Sequence, residues 1–235
     1  MYDVIIIGAG PAGLFSSLYL ARYSKLKILL VDEGKFTKER ICPMTKNGTA
    51  CVNCNPCNIL SGYGGAGTFS DGKLNFIPKL GKTDLFKYLD KSDAYKLIDE
   101  VENIFNEFNM DSEVYPTNIK EASILKEKIA KIGADLLIIK QKHLGSDHLP
   151  EYINNIEEEL KKLGVNLLAN FKCNDIKKEK DYYLVSSDKE TYKAKKVIVA
   201  PGRTGAKWVQ ELADKYKIPY ISQSIEIGVR VEVKK

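Results

Sequence analysis

The spacing of apolar residues changes from segment to segment along the chain, and those changes outline a fold. Asp3 to Ile7, DVIII, is a strand-length apolar run of the kind buried on both faces of a parallel sheet. From Leu14 to Tyr23, LFSSLYLARY, the apolar positions take helical spacing. LKILLVD then gives a second strand that ends in Asp32. Farther on, from about Leu80 to Pro150, the chain reads as helical and amphipathic. TDLFKYLDKSDAYKLIDEVENIFNEF sets Leu97, Val101, Ile104, Phe105 and Phe108 at core spacing, with a solvated charged face opposite. A helix is expected around Lys120 to Ile132, followed by a strand, ADLLII. Another helix, Leu149 to Leu163, leads into VNLLANFKCNDI, DYYLVSSD and KETYKAK. These predict three short antiparallel strands feeding an apolar strand, Lys196 to Ala200. A last apolar strand is expected over Ile225 to Val233.

Between the first strand and the first helix stands GAGPAG. Gly8, Gly10 and Gly13 have G-x-G-x-x-G spacing, with Pro11 and Ala12 opening the helix. Gly8 permits a tight turn, Gly10 lets backbone approach a pyrophosphate, and Gly13 lets the helix pack close to the strand. The helix N-terminus offers free N–H groups and a positive dipole end to phosphates. Asp32, at the end of the second strand, is placed to accept hydrogen bonds from ribose hydroxyls. Glu33 joins the nucleotide candidates, although alternation along the strand aims it elsewhere. Strand, glycine turn, helix, strand and acid together predict dinucleotide binding. The acid favours a free 2′-hydroxyl, hence FAD or NAD over NADP.

Composition narrows the class little. The chain has 235 residues, 44% hydrophobic and 29% charged, which suits one or two globular domains. No apolar run approaches the roughly 18 residues of a membrane span, and MYDVIII lacks the features of a signal peptide, so a cytoplasmic protein is expected. The net charge of +5 is carried mostly by lysines scattered beside Glu and Asp, which reads as a solvated surface. Arg–aromatic clusters that would suggest nucleic acid are missing.

The second half separates FAD from NAD. The three antiparallel strands and the VIVAPGR that follows resemble the glutathione-reductase-like superfamily of FAD enzymes. That resemblance implies a β-meander crossing over the first sheet and returning to an Ala-x-Gly turn beside the nucleotide, here Ala200 and Gly202, with Arg203 next to them. It also implies a backbone contact with adenine just before the meander, at Cys173. An NAD-only Rossmann domain would continue with further βα units, whereas this chain inserts a long loop and helices. GYGGAGTFSDGKL, HLGSD at His143 to Asp147, and IGVRVEV are similar to a bacterial family of FAD-dependent (NAD/FAD-utilising) dehydrogenases.

The loop from Cys42 to Leu74 carries the remaining chemistry. Gly62, Gly64, Gly65 and Gly67 allow close approach to a flat ligand. Thr68, Ser70 and their amides can donate to phosphate or to flavin ring atoms, and Lys73 can hold an anion. Long loops without regular structure in compact domains are usually functional. Cys42, Cys51, Cys54 and Cys57 are spaced C-x8-C-x2-C-x2-C. Three readings stand: an iron–sulfur cluster or zinc ion held by four thiolates, a redox-active dithiol near the flavin, or reduced thiols with no shared task. Arg40 is a candidate to reach the nucleotide. His143 is either a catalytic acid–base or a hydrogen-bonded turn residue before a helix starting at Ser146/Asp147.

The expectation is therefore an α/β chain: a Rossmann-like FAD-binding domain with a central parallel sheet, a three-stranded β-meander crossover and a helical insertion. Residues 1–80 and 165–235 would form the FAD-binding domain, and 81–164 an insertion carrying part of the substrate region. The expected activity is hydride transfer through flavin N5, with NAD(P)H as a candidate donor. A C-terminal part or partner subunit would complete the site, because no second GxGxxG and no closing Gly-Asp turn follow. The alternatives are an accessory protein that binds FAD without turnover, and a metal-binding interaction module.

Overall fold

The structure, a computed structural model, describes residues 1–145, 147–221 and 227–229. The strands are β1 (Tyr2–Ile7), β2 (Ile28–Val31), β3 (Lys73–Asn75), β4 (Lys79–Leu80), β5 (Thr83–Asp84), β6 (Val114–Tyr115), β7 (Gln141–His143), β8 (Asn166–Leu168), β9 (Asp175–Lys178), β10 (Tyr183–Ser186) and β11 (Thr191–Val199). The helices are α1 (Pro11–Tyr23), α2 (Pro43–Asn47), α3 (Lys91–Glu107), α4 (Ile119–Ala130), α5 (Leu149–Lys162) and α6 (Ala206–Tyr216). Among the described residues no helix is long and apolar enough to cross a membrane.

The main sheet runs β8-β2-β1-β11-β10-β9. Strands β8, β2, β1 and β11 are mutually parallel, while β9, β10 and β11 form an antiparallel meander. Ala194 marks the handover, pairing with Tyr183 of β10 on one side and Tyr2 of β1 on the other. The third meander strand and the apolar strand expected after it are thus one continuous strand, β11. The segment expected to open the meander divides differently too. Asn166–Leu168 pairs parallel to β2 at the sheet edge, and the meander starts only at Asp175.

Burial on both faces explains the DVIII run. Val4 and Ile6, with Ile28 and Leu30 beside them, face the helical layer of Leu14 and Leu18 from α1 and Ile153, Ile156 and Leu160 from α5. Ile5, Ile7, Leu29 and Val31 face Phe171, Cys173, Ile176 and Val185 on the opposite side. Successive residues of a strand point to opposite faces, so a strand covered on both sides needs every position apolar. Ile5, Ile6 and Leu30 are fully buried, each worth about 1.5–3 kcal/mol of transfer free energy.

The middle of the chain departs further from its pattern. Helix α5, grouped by sequence with the insertion, lies in the sheet's own core, as do Ile104 of α3 and Phe108 just past its end. Leu97 is exposed, and the buried positions of α3 include Ala94 and Glu102 instead. The ADLLII segment, residues 134–139, has no strand neighbour and stays irregular. The strand forms just after it, where β7 pairs with β3 and β6. A short apolar run does not by itself say where a partner strand will be. Lys142 of β7 is buried and is held by Asn106 at 2.6 Å and Glu102 at 3.4 Å. Most of the strand expected over Ile225 to Val233 lies outside the described residues.

Tyr63 pins the sheet edge from outside the sheet. Its hydroxyl donates to the Leu30 carbonyl at 2.9 Å and accepts from the Leu168 N–H at 3.0 Å, so it bridges β2 and β8. The side chain is completely buried and its ring packs on Phe36, centroid to centroid 4.7 Å. Tyr63→Phe keeps the ring and strands both backbone groups. It should cost about 1–3 kcal/mol in urea unfolding without changing the far-UV spectrum.

Candidate functional site

The C-terminal ends of β1, β2 and β11 open onto one cavity of about 620 Å³. Gly8, Gly10 and Pro11 of the glycine turn form one side, with Asp32 and Glu33 at the end of β2. Ser61, Gly62, Gly65, Ala66 and Gly67 form a second wall. Phe171 and Cys173 close a third, and the turn Ala200 to Gly205, with Trp208, closes the fourth.

The glycines of the first turn answer to different demands. A Cβ on Gly13 would lie 1.8 Å from the Gly8 carbonyl oxygen, so the strand–helix packing itself requires glycine there. A Cβ on Gly10 would meet only Gly65 Cα, at 3.9 Å, an ordinary contact. The protein does not forbid a side chain at Gly10, but one would intrude on the cavity. A ligand that approaches the backbone there supplies the missing reason. Helix α1 begins at Gly10 with no side-chain cap, so its first amides remain available to a ligand's oxygens.

Asp32 is buried and ties the strand ends together. Its Oδ2 accepts from the Ala9 N–H and its Oδ1 from the Gly34 N–H, both at 2.8 Å. Its own backbone receives the Phe171 N–H at 2.8 Å. Burial pushes the carboxyl above the ordinary aspartate range, while the two N–H bonds pull the other way. Each carboxylate oxygen still has a lone pair for a hydroxyl donor. Glu33, which alternation aimed elsewhere, lines the cavity and accepts from Ser61 Oγ at 2.7 Å.

The glycine-rich second wall docks directly on the first. The Gly64 N–H donates to the Ala9 carbonyl at 2.8 Å. Gly65 and Gly67 face the cavity, whereas Gly64 and Thr68 are buried behind it. Ser70 bonds back to the Gly67 carbonyl at 2.8 Å and stays outside. Gly13 is buried and Ala12 exposed in the first turn of α1, and neither lines the cavity.

Arg40 does not line the cavity. It is buried, and all five of its N–H donors go to protein oxygens: Asn58 O, Tyr63 O, Thr68 Oγ1, Ile59 O and Gly65 O, at 2.6–3.1 Å. No donor remains for a nucleotide. Arg203, exposed at the rim, is the one cationic side chain in the lining among the described residues. Cys173 sits in the wall with its thiol pushed up to about 12 by burial, a small apolar residue in effect. Lys73 pairs with Asp71 at 3.1 Å, and His143 Nε2 bonds the Asp71 carbonyl at 2.8 Å; neither faces the cavity. His143 therefore belongs to strand β7 rather than to a turn, α5 starts at Leu149, and Ser146 lies outside the described residues.

The four clustered cysteines are free thiols. Among the described residues no group of three or more His, Cys, Asp or Glu side chains is arranged to hold a metal ion. Cys42 caps the five-residue α2, whose Thr45 N–H lowers its pKa. Cys51, Cys54 and Cys57 lie in irregular backbone, not on a helix over a flavin.

Phe171, Ser61, Thr204 and Trp208 escaped the sequence reading. Trp208, the single tryptophan, follows the PGRTG turn by three residues, a signal that was available. Phe171 shares a strand-like alternation with Cys173, which was noticed without it.

Residues 2–100 match the family model of pyridine nucleotide-disulphide oxidoreductases. The whole architecture aligns with glycine oxidase from Geobacillus kaustophilus at TM-score 0.52 and 16% identity, over 93% of this chain and 59% of that one. This chain shares the α/β fold of that protein over the aligned length. L-amino acid deaminase from Proteus vulgaris aligns likewise, at TM-score 0.53 and 14% identity, over 93% of this chain and 50% of that one. An uncharacterized protein of Clostridium beijerinckii is 25% identical over 97% of this chain. Another, from Methanosarcina barkeri, is 46% identical over 17% of this chain and 10% of its own length. The chain spans 36% of the length of the Clostridium protein. The antiparallel meander leads into β11, and the Ala-x-Gly turn that follows it, Ala200 and Gly202, lines the cavity.

The two glycines give a paired test. Gly13→Ala should abolish the native fold, read by thermal melting. Gly10→Ala should melt within a few degrees of the parent and bind a dinucleotide about tenfold or more weakly.

Proposed function

We propose that this chain is the FAD-binding part of a flavin oxidoreductase. One observation carries the reading: four separated segments, the glycine turn, the 61–67 wall, the Phe171–Cys173 stretch and the 200–205 turn, converge on one cavity with a buried acid at the end of β2. The fit to FAD is chemical as well as spatial. Gly10 leaves room for a pyrophosphate, the α1 amides face it, and Asp32 can take ribose hydroxyls. Asp32 and Glu33 together oppose a 2′-phosphate, which favours FAD over NADP as the resident nucleotide.

Bound FAD would supply hydride acceptance at its N5 position. This chain's share is to grip the adenosine diphosphate end and aim the flavin toward the mouth lined by the second wall and the 200–205 turn. We assign NAD(P)H as the candidate donor, and a small molecule as substrate. Recognition of that substrate we place on polypeptide beyond this chain, in cis or from a partner subunit, and the working compartment in the cytoplasm.

Trp208 makes the test direct, because the only tryptophan lies in the cavity wall. Titration with FAD should quench its fluorescence saturably. NADP should bind at least about tenfold more weakly, and Asp32→Asn should weaken FAD by about tenfold. No saturable response to FAD, NAD or ADP would overturn the reading.

A further inference from the structure

We propose that Arg40 is a positioning residue that sets cofactor affinity without touching the cofactor, by holding the 60–67 wall in its cavity-forming shape. The inference rests on the FAD reading above and deepens it.

The wall has little to hold it in regular structure. Leu60, Ser61 and Gly62 line the cavity, then Tyr63 and Gly64 turn inward, and Gly65, Ala66 and Gly67 line it again. Arg40 grips the chain at every one of those transitions. Nη2 bonds the Ile59 carbonyl just before the first lining stretch, at 2.8 Å. Nη1 bonds the Tyr63 carbonyl between the two stretches, at 2.6 Å. Nη2 also reaches the Gly65 carbonyl at 3.0 Å, and Nη1 the Thr68 hydroxyl at 3.1 Å, just past the second stretch. The face of the guanidinium lies on the Phe69 ring, 4.8 Å from its centroid.

All five hydrogen-bond partners are neutral oxygens, so the geometry of the fork, not an ion pair, is what matches this site. A buried cation without a contacting carboxylate is costly and persists only where hydrogen bonds replace its water. The network continues to the helical layer. Thr37 Oγ1 shares the Tyr63 carbonyl at 3.2 Å and bonds the buried Glu157 of α5 at 2.5 Å. The wall is thereby fixed to both the loop after β2 and the core helix α5. Lysine carries the same charge but has a single nitrogen on a flexible stem and cannot span five separated oxygens.

The test measures FAD binding by Trp208 fluorescence in the parent, Arg40→Lys and Arg40→Ala, each confirmed folded by circular dichroism and assayed well below its melting temperature. Arg40→Lys should bind about tenfold more weakly despite its charge, and Arg40→Ala more weakly still. Ethylguanidinium at millimolar concentration should restore binding to Arg40→Ala and leave the parent unchanged. Should Arg40→Ala not fold, Thr68→Val, which deletes one acceptor of the fork, takes its place and should bind about threefold more weakly. Parent-like affinity in Arg40→Lys, no rescue by the guanidinium, or parent-like affinity in Thr68→Val overturns the proposal while leaving the cofactor reading intact. A parent protein that binds no FAD overturns the cofactor reading and this inference with it.

Discussion

The two peptide groups flanking Ala9 hold this site together. The Ala9 N–H donates to the Asp32 carboxylate, and the Ala9 carbonyl accepts the Gly64 N–H. The first bond ties the end of β1 to the end of β2. The second lays the glycine-rich wall on the glycine turn. Both depend on Gly13, since any side chain there would push α1 off the Gly8 carbonyl and move the turn that carries Ala9. The cavity exists because these bonds bring backbone close to backbone with no side chain between. Concave sites made mainly of main chain, with a few fixed polar groups, suit a ligand with a long polar spine.

Charge is distributed with the same logic. The acids Asp32 and Glu33 and the exposed Arg203 line the cavity. The buried Arg40 lies behind the wall, where burial pulls its guanidinium down to about 10, still charged at neutral pH. This buried arginine shapes a loop and does not line the cavity. Tyr63 plays a parallel part for the sheet, with its hydroxyl bridging β2 and β8 and its carbonyl gathering both Arg40 and Thr37.

Much of this was legible in the sequence, for identifiable reasons. DVIII, the glycine spacing and the Ala-Pro-Gly turn are local signals whose meaning does not depend on distant partners, and they stand where expected. Asp32 was legible because strand length fixes its place. Arg40 was not, because a lone arginine after a strand says nothing about whether its donors will meet phosphate or carbonyl oxygen. The cysteine spacing was suggestive as a string, but spacing alone does not say whether four thiols face one centre, and among the described residues no group of three or more metal-ligating side chains comes together. ADLLII failed because strand formation belongs to a pair, and the partners β3 and β6 lie alongside the residues that follow it.

The account stands or falls on the four segments acting as one binding surface. Hydrogen exchange of the folded protein with and without saturating FAD tests that most directly. It predicts coordinated protection of peptides spanning 8–14, 60–68, 171–174 and 200–208, with no change in 42–57. Protection confined to the cysteine segment, or spread evenly over the chain, would contradict it.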